Sequence, residues 1–168
     1  LRRPAAPPHP HTRGGRPLGL AVARLAAARE LRVVGTGSAA KREPAEAVGV
    51  RFIDYTADDV VAAARELVPG GFDGIVDLVG GPSLRAVAPL ARDPRSVIAV
   101  GDQSVSDIGG RFVERRLDRE NLARAARLAL DGVLAPPITA VHPLSDAPAA
   151  LATVENGHTA GKVVIKVT

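Results

Sequence analysis

The sequence contains no cysteine, which excludes disulfide scaffolds, thiolate zinc sites and thiol nucleophiles. Its aromatic residues number only four, too few to supply the base-stacking platforms of a single-strand nucleic-acid binder. No apolar run approaches the roughly 18 residues that a membrane-spanning helix needs, and no signal-like segment opens the sequence. We therefore expect a soluble cytoplasmic protein that has neither a membrane nor a nucleic acid as its partner.

The net charge of +4 is distributed unevenly along the 168 residues. Residues 1–32 hold seven arginines and one acidic residue, whereas residues 33–168 hold 15 basic and 17 acidic residues. The basic excess therefore belongs to the N-terminal segment, and the remainder is mildly acidic. Nucleic-acid binding through that segment is the least favoured of three functional interpretations, since both the acidic body and the scarcity of aromatics oppose it.

The chain changes character after its first residues. Five of residues 1–17 are proline, which suits neither a helix nor a central strand, so we predict an irregular segment over residues 1–19. Apolar periodicity then predicts one α/β domain over residues 20–168, opening on a helix over residues 18–30. Strands are predicted at residues 31–35, 51–55, 73–79, 96–100, 138–141 and 162–167. Helices are predicted at residues 39–48, from a capping box at Thr56 and Asp59 through Leu67, and at residues 82–90, 118–130 and 145–154.

The alternation of short strands and helices predicts a doubly wound, mainly parallel α/β sheet of the Rossmann type. Ligands of such sheets bind at the carboxyl ends of the strands. A glycine at one such end is explained by the turn alone, but three glycine-bearing ends favour a nucleotide site. The four strand ends read Gly35-Thr36-Gly37-Ser38, Asp54-Tyr55, Val79-Gly80-Gly81 and Val100-Gly101-Asp102.

The end of the strand predicted at residues 31–35, which corresponds to the second strand of a dinucleotide-binding domain, favours NADPH over NADH. NAD-binding domains carry an acidic residue there for the ribose 2′-hydroxyl, but residues 33–40 contain none. Ser38, Lys41 and Arg42 instead offer a hydroxyl and two cations that suit a 2′-phosphate. The alternative is an ordinary helix start with two solvated basic side chains.

Three further patterns limit the functional interpretation. Gly14, Gly15 and Gly19 do not have the spacing of the dinucleotide fingerprint, and no predicted strand precedes them. His9 and His11 are interpreted as a chance pair, and no metal site is predicted. Asp54, Asp73 and Asp77 are interpreted as caps or strand-end groups rather than as a catalytic carboxylate pair.

Four segments, in this order, resemble the cofactor-binding half of the medium-chain dehydrogenase/reductase superfamily: VVGTGSAAKR, RFIDYTADDVVAAARELVPGGFDGIVDLVGG, SVIAVGD and ENGHTAGKVVIKV. The resemblance covers about residues 20–167 and is strongest to the quinone oxidoreductase-like branch, often called NADP-dependent alcohol dehydrogenase or zinc-binding dehydrogenase. It implies a Rossmann sheet that binds NADPH and passes hydride to a small-molecule substrate, a quinone, enone or related carbonyl compound.

By position, Ser38, Lys41 and Tyr55, assisted by Arg42, match residues on the 2′-phosphate side. Val79, Gly80 and Gly101 match loops that face the ribose and nicotinamide. That branch needs no catalytic zinc and no side-chain acid, so we assign no catalytic residue.

The resemblance also implies parts that the sequence lacks. Family members begin with a GroES-like substrate domain, and their first Rossmann strand with its glycine-rich turn should directly precede Leu20. We therefore expect a truncated gene product that lacks its first strand, with residues 1–19 read from a shifted frame, and we expect this chain alone to be inactive. A homodimer is implied by the resemblance only. The alternative function is a non-catalytic nucleotide-binding or interaction module.

Overall fold

The structure is a computed structural model that describes residues 18–114, 116, 118–134, 138–155 and 162–167. The irregular segment predicted over residues 1–19 lies outside these residues, except that its last two residues already belong to the first helix. The α-helices among the described residues are α1 Leu18–Ala27, α2 Arg42–Glu46, α3 Val60–Leu67, α4 Gly81–Val87, α5 Arg119–Leu130 and α6 Ala147–Glu155. The strands are β1 Val33–Gly37, β2 Val50–Asp54, β3 Ile75–Asp77, β4 Val97–Ala99, β5 Arg111–Phe112, β6 Ile138–Pro143 and β7 Lys162–Lys166.

Every strand pair among the described residues is parallel, as the predicted fold class requires. The strands form three pieces, β1-β2, β3-β4-β5 and β6-β7. The first two pieces fit the outer positions of the Rossmann order 3-2-1-4-5-6, and no described strand occupies the central position between them. The doubly wound α/β class predicted from the alternation of elements is confirmed.

A shared apolar core joins the first two sheet pieces. Ile53 of β2, Ala64 of α3 and Leu90 are buried together. Val34 of β1 and Ile75 of β3 pack against that cluster from the two sides. The two pieces are therefore held through α3 and the segment after α4, rather than through hydrogen bonds between β1 and β3.

A second core lies under the last strands of the larger piece. Leu84 of α4 is completely buried against Val97 and Ala99 of β4 and against Val105. Val105 belongs to a 3-10 helix, Gln103–Ile108, in a segment for which the sequence predicted only a polar loop. That prediction was wrong. A single buried apolar residue, Val105, holds this helix in place, and one apolar residue gives no periodic pattern in the sequence.

The capping box at Thr56 and Asp59 was also a wrong prediction. Asp59 itself is the N-cap of α3 and accepts hydrogen bonds from the amides of Val61 and Ala62 at 2.9 and 3.1 Å. The Thr56 hydroxyl donates instead to Asp54 Oδ1 at 2.7 Å. The Thr56 side chain is therefore bound to the end of β2, and the amides at the start of α3 donate to Asp59.

Other local predictions hold within a few residues. Asp118 caps α5 by accepting from the amide of Asn121 at 2.7 Å, as predicted. The predicted strand at residues 73–79 shortens to the three residues of β3, because Asp77 turns its carboxylate onto the following loop. The helix predicted at residues 39–48 divides into a 3-10 turn, Ala39–Lys41, and the short α2.

The C-terminal elements contribute little to either core. Helix α5 has no buried residue, and Leu122 and Leu130 on it are 72% and 88% exposed. Among the described residues, no helix is long and apolar enough to cross a membrane.

Candidate functional site at the carboxyl ends of the strands

The ends of β1 and β2 lie side by side. The amide of Tyr55 donates to the carbonyl oxygen of Gly37 at 3.1 Å, which extends the parallel ladder one step beyond both strands. This bond places Tyr55, whose side chain is largely exposed, next to the Gly37–Ser38 turn. The sequence-predicted residues Ser38 and Tyr55 are therefore brought together at one corner of the sheet.

Ser38 and Lys41 present polar groups that the fold does not use. Ser38 occupies the N-cap position of the 3-10 turn Ala39–Lys41, yet its hydroxyl makes no capping hydrogen bond. No ion pair involves Lys41 within the described part of the chain. Since an ideal Cβ on Gly37 would lie 3.5 Å from the Lys41 Cβ, the base of the lysine side chain rests on the end of β1.

Arg42, by contrast, is engaged locally. Its guanidinium pairs with Glu46 at 3.2 Å and lies 5.0 Å from the centre of the Phe52 ring. The same ring packs against Gly37, where a Cβ would come within 2.9 Å of it. Phe52 therefore holds Arg42 beside the site, but the cation is shared with Glu46.

The acidic group at the end of β2 is committed to its own turn. Asp54 is buried and accepts hydrogen bonds from the hydroxyl and the amide of Thr56 at 2.7 and 2.9 Å. These hydrogen bonds hold the pKa of the Asp54 carboxyl below its ordinary value. Asp54 is thus a strand-end group, in agreement with its sequence interpretation.

Two carboxylates organise the ends of β3 and β4. Asp77 Oδ2 accepts from the Gly80 amide at 2.7 Å, and Asp102 Oδ2 accepts from the Gly81 amide at 2.7 Å. Burial raises the pKa of Asp77, whereas the hydrogen bond from Gly81, with others from Ser104, lowers the pKa of Asp102. The loop after β3 is therefore tied both to its own strand and to the loop after β4.

The three remaining predicted residues lie on these two loops. Gly80 adopts a φ of +83°, which favours glycine, and Val79 beside it is 74% exposed. Gly101 has open space around the position of a Cβ. Val79 thus presents an exposed apolar side chain and Gly101 an exposed backbone at the same edge of the sheet, whereas Gly80 is buried and its amide is bonded to Asp77.

The start of α1 reaches this edge as well. A Cβ on Gly19 would lie 3.7 Å from Leu78 Cδ1, one residue before Val79. The first turn of α1 contains no acidic residue that would oppose an anion. Gly14 and Gly15, the other glycines weighed for a fingerprint, lie outside the described residues, as do His9 and His11.

The described residues do not fit a zinc site. They contain no group of three or more His, Asp or Glu side chains able to hold a metal ion, and the sequence has no cysteine.

An open cleft lies elsewhere. It has a volume of about 400 Å³ and is lined by residues that precede β3 and β4, including Gly70, Leu90 and Arg92. Arg92 there is bound to the carboxylate of Asp73 and to the carbonyl oxygen of Gly70. This cleft is at the amino ends of the strands, so it is not where a doubly wound sheet places its ligand.

Sequence reasoning found the corner formed by Ser38, Lys41 and Tyr55 but missed the function of Asp102. Its N-cap bond to the amide of Ser104, at 2.9 Å, was readable from the Asp-x-Ser spacing. The bond to Gly81, 21 residues earlier, had no local signal.

Comparison with known proteins connects this arrangement to a family. A family model described as zinc-binding dehydrogenase matches residues 49–165. No curated protein sequence matches the chain significantly.

Solved structures share the fold. The quinone oxidoreductase from Coxiella burnetii aligns with a TM-score of 0.72 and 23% identity, covering 94% of this chain and 51% of that chain. The Escherichia coli quinone oxidoreductase complexed with NADPH aligns at 0.68 and 22%, covering 92% and 55%. An NAD-dependent alcohol dehydrogenase aligns at 0.67 and 22%, covering 87% and 47%. The present chain thus spans about half the length of these proteins, and at such identities the likeness shows the fold alone.

Proposed function

The chain belongs to the zinc-binding dehydrogenase family of the medium-chain dehydrogenase/reductase superfamily, and from that premise we propose that it binds NADPH. Residues 20–168 are then the cofactor-binding part of an oxidoreductase that transfers hydride to a quinone, enone or other carbonyl substrate. The name of one structural neighbour mentions NADPH and that of another mentions NAD. The choice between the two cofactors therefore rests on this chain's own residues.

The observation that carries the proposal is the pair of unused polar groups after β1. The Ser38 hydroxyl caps nothing, and Lys41 has no ion-pair partner within the described residues. A phosphate on the adenosine ribose satisfies both, because charge-assisted hydrogen bonds to phosphate oxygens are the strong ones. No acidic side chain between residues 33 and 40 is available to hold a free 2′-hydroxyl.

Tyr55 and Arg42 complete the adenosine side. The exposed ring of Tyr55 offers a flat apolar face beside Ser38. Arg42, stacked on Phe52 and paired with Glu46, adds positive charge near the phosphate and is the weaker contributor because Glu46 partly neutralises it.

On the nicotinamide side, Val79 provides apolar contact and Gly101 close backbone approach, and the buried Gly80 shapes the turn that carries Val79. When bound, NADPH supplies the hydride. The chain's own residues bind and orient it, and no step is assigned to zinc, because the described residues do not offer its ligands. The substrate would be positioned by parts of the protein beyond this domain, and pairing of two copies into a homodimer remains part of the same proposal.

A second candidate is a non-catalytic nucleotide-binding module. It would hold the nucleotide through the same Ser38 and Lys41 groups after β1. Turnover of a quinone with NADPH by the purified chain would exclude this module, since the module binds the nucleotide without consuming it.

The cofactor proposal is tested by titrating the chain with NADPH and with NADH while following nicotinamide fluorescence. NADPH is expected to bind more tightly. Lys41→Ala should weaken NADPH binding by about tenfold, the effect of one hydrogen bond to a charged group, and leave NADH unchanged. Lys166→Ala on the exposed surface of β7 is the matched control and should alter neither affinity. Equal affinities of the wild-type chain for the two nucleotides would contradict the assignment.

A further inference from the structure

The carboxylate of Asp102, in the loop after β4, accepts hydrogen bonds from amides at the start of two different helices. Its Oδ2 accepts from the amide of Gly81 at 2.7 Å, and its Oδ1 accepts from the amide of Ser104 at 2.9 Å. One carboxylate therefore caps two helices, the 3-10 helix that follows it and α4, which begins 21 residues earlier.

Helix α4 depends on this long-range contact. Its own N-cap residue is Gly80, which has no side chain to cap the helix. The amide of Gly80 is taken by Asp77, and the next amide, that of Gly81, is taken by Asp102. A carboxylate from β3 and one from the loop after β4 thus hold two consecutive amides of one turn.

The turn and Asp102 fit each other closely. A Cβ on Gly80 would lie 2.7 Å from the Asp102 Cβ, so the aspartate occupies the space that a side chain at position 80 would need. The backbone of Gly80, at φ +83° and ψ −169°, is in a region open essentially to glycine alone. The turn is therefore held in an unusual conformation from outside, with Val79 directed into solvent.

We propose that Asp102 is a positioning residue that fixes the Val79–Gly81 turn and the Gly101 loop in the relative placement that receives the nicotinamide half of the cofactor. This inference rests on the proposed function. It assigns to Asp102 no contact with substrate or cofactor, since both of its oxygens already accept from backbone amides.

The test separates the two halves of the cofactor. Asp102→Ala and Asp102→Asn are titrated with NADPH and with adenosine 2′,5′-bisphosphate, a fragment that carries the 2′-phosphate but no nicotinamide. Asp102→Ala should bind NADPH about tenfold more weakly and the fragment within about twofold of wild type. Asp102→Asn should be intermediate, because its amide oxygen still accepts one of the two bonds. Asp107→Ala, on an exposed residue of the same 3-10 helix, is the matched control and should bind both ligands normally.

A general loss of structure would weaken both ligands equally, and that result overturns the positioning role. So does unchanged NADPH binding by Asp102→Asn and Asp102→Ala. If the alanine variant does not fold, the asparagine variant alone decides between selective and equal loss. A wild-type chain that binds neither ligand refutes the proposed function itself, whereas binding of both by wild type without a selective loss in the variants refutes only the inference.

Discussion

Replacing Gly80 by alanine tests whether the turn after β3 is built as described. The residue's φ of +83° and ψ of −169° cost a non-glycine residue about 1–3 kcal/mol. The new Cβ would also stand 2.7 Å from the Asp102 Cβ and 3.0 Å from its Oδ2, and relief of such crowding typically costs a further 1–3 kcal/mol or so. We expect Gly80→Ala to lower the free energy of unfolding by roughly 2–6 kcal/mol, a large part of the stability of an ordinary domain.

Urea unfolding followed by circular dichroism measures this effect, and neighbouring glycines divide it into its causes. Gly81 has a φ of +60° but open space around a Cβ, so Gly81→Ala should cost only the backbone strain of about 1–2 kcal/mol. Gly101 has neither a positive φ nor a close neighbour, and Gly101→Ala should stay within about 0.5 kcal/mol of wild type. If Gly80→Ala were no more destabilising than Gly101→Ala, the reasoning about this turn would be refuted.

Two further predictions concern the core and the buried carboxylate. Leu84→Ala should lower the free energy of unfolding by about 2–5 kcal/mol because Leu84 is completely buried. Leu122→Ala, at a 72% exposed site, should change the free energy of unfolding little. Similar losses in both variants would contradict the assignment of the core. Burial raises the pKa of Asp77 above its ordinary value of 3.8. At pH values between 3.8 and the higher pKa of the folded state, the folded state therefore binds more protons than the unfolded state. The stability of the wild type relative to Asp77→Asn should therefore fall as pH rises through that window and stay lower above it, as measured by urea unfolding at several pH values; a difference that does not change with pH would disprove the raised pKa.

Local signals in the sequence predicted local structure well. The cap at Asp118 and the helix that follows it depend on residues within four positions of each other, and both are present in the structure. Thr56 shows the limit, because its hydroxyl donates to the buried Asp54 instead of accepting from an amide at the start of α3. The 3-10 helix around Val105 was missed for the opposite reason, since what defines it is the tertiary burial of a single apolar residue.

The candidate site divides in the same way. Ser38, Lys41 and Tyr55 could be proposed from the sequence because a strand end is local and a missing acidic residue can be read directly, and their role in binding stays a prediction. The pairing of Arg42 with Glu46 is an i,i+4 contact within α2 that the sequence spacing allows, but the contact of Arg42 with Phe52 depends on how α2 lies over β2, which no pattern of residues states. The bond from Gly81 to Asp102 joins two loops that only the parallel pairing of β3 and β4 brings together.

The central claim is that this chain binds NADPH along the carboxyl ends of its strands. Amide chemical shifts recorded during an NADPH titration test it most directly. The account predicts that the perturbed amides are those of Ser38, Lys41, Tyr55, Gly80 and Gly101. Perturbations confined to the cleft at the amino ends of the strands, around Gly70 and Arg92, would contradict it, and so would the absence of any perturbation.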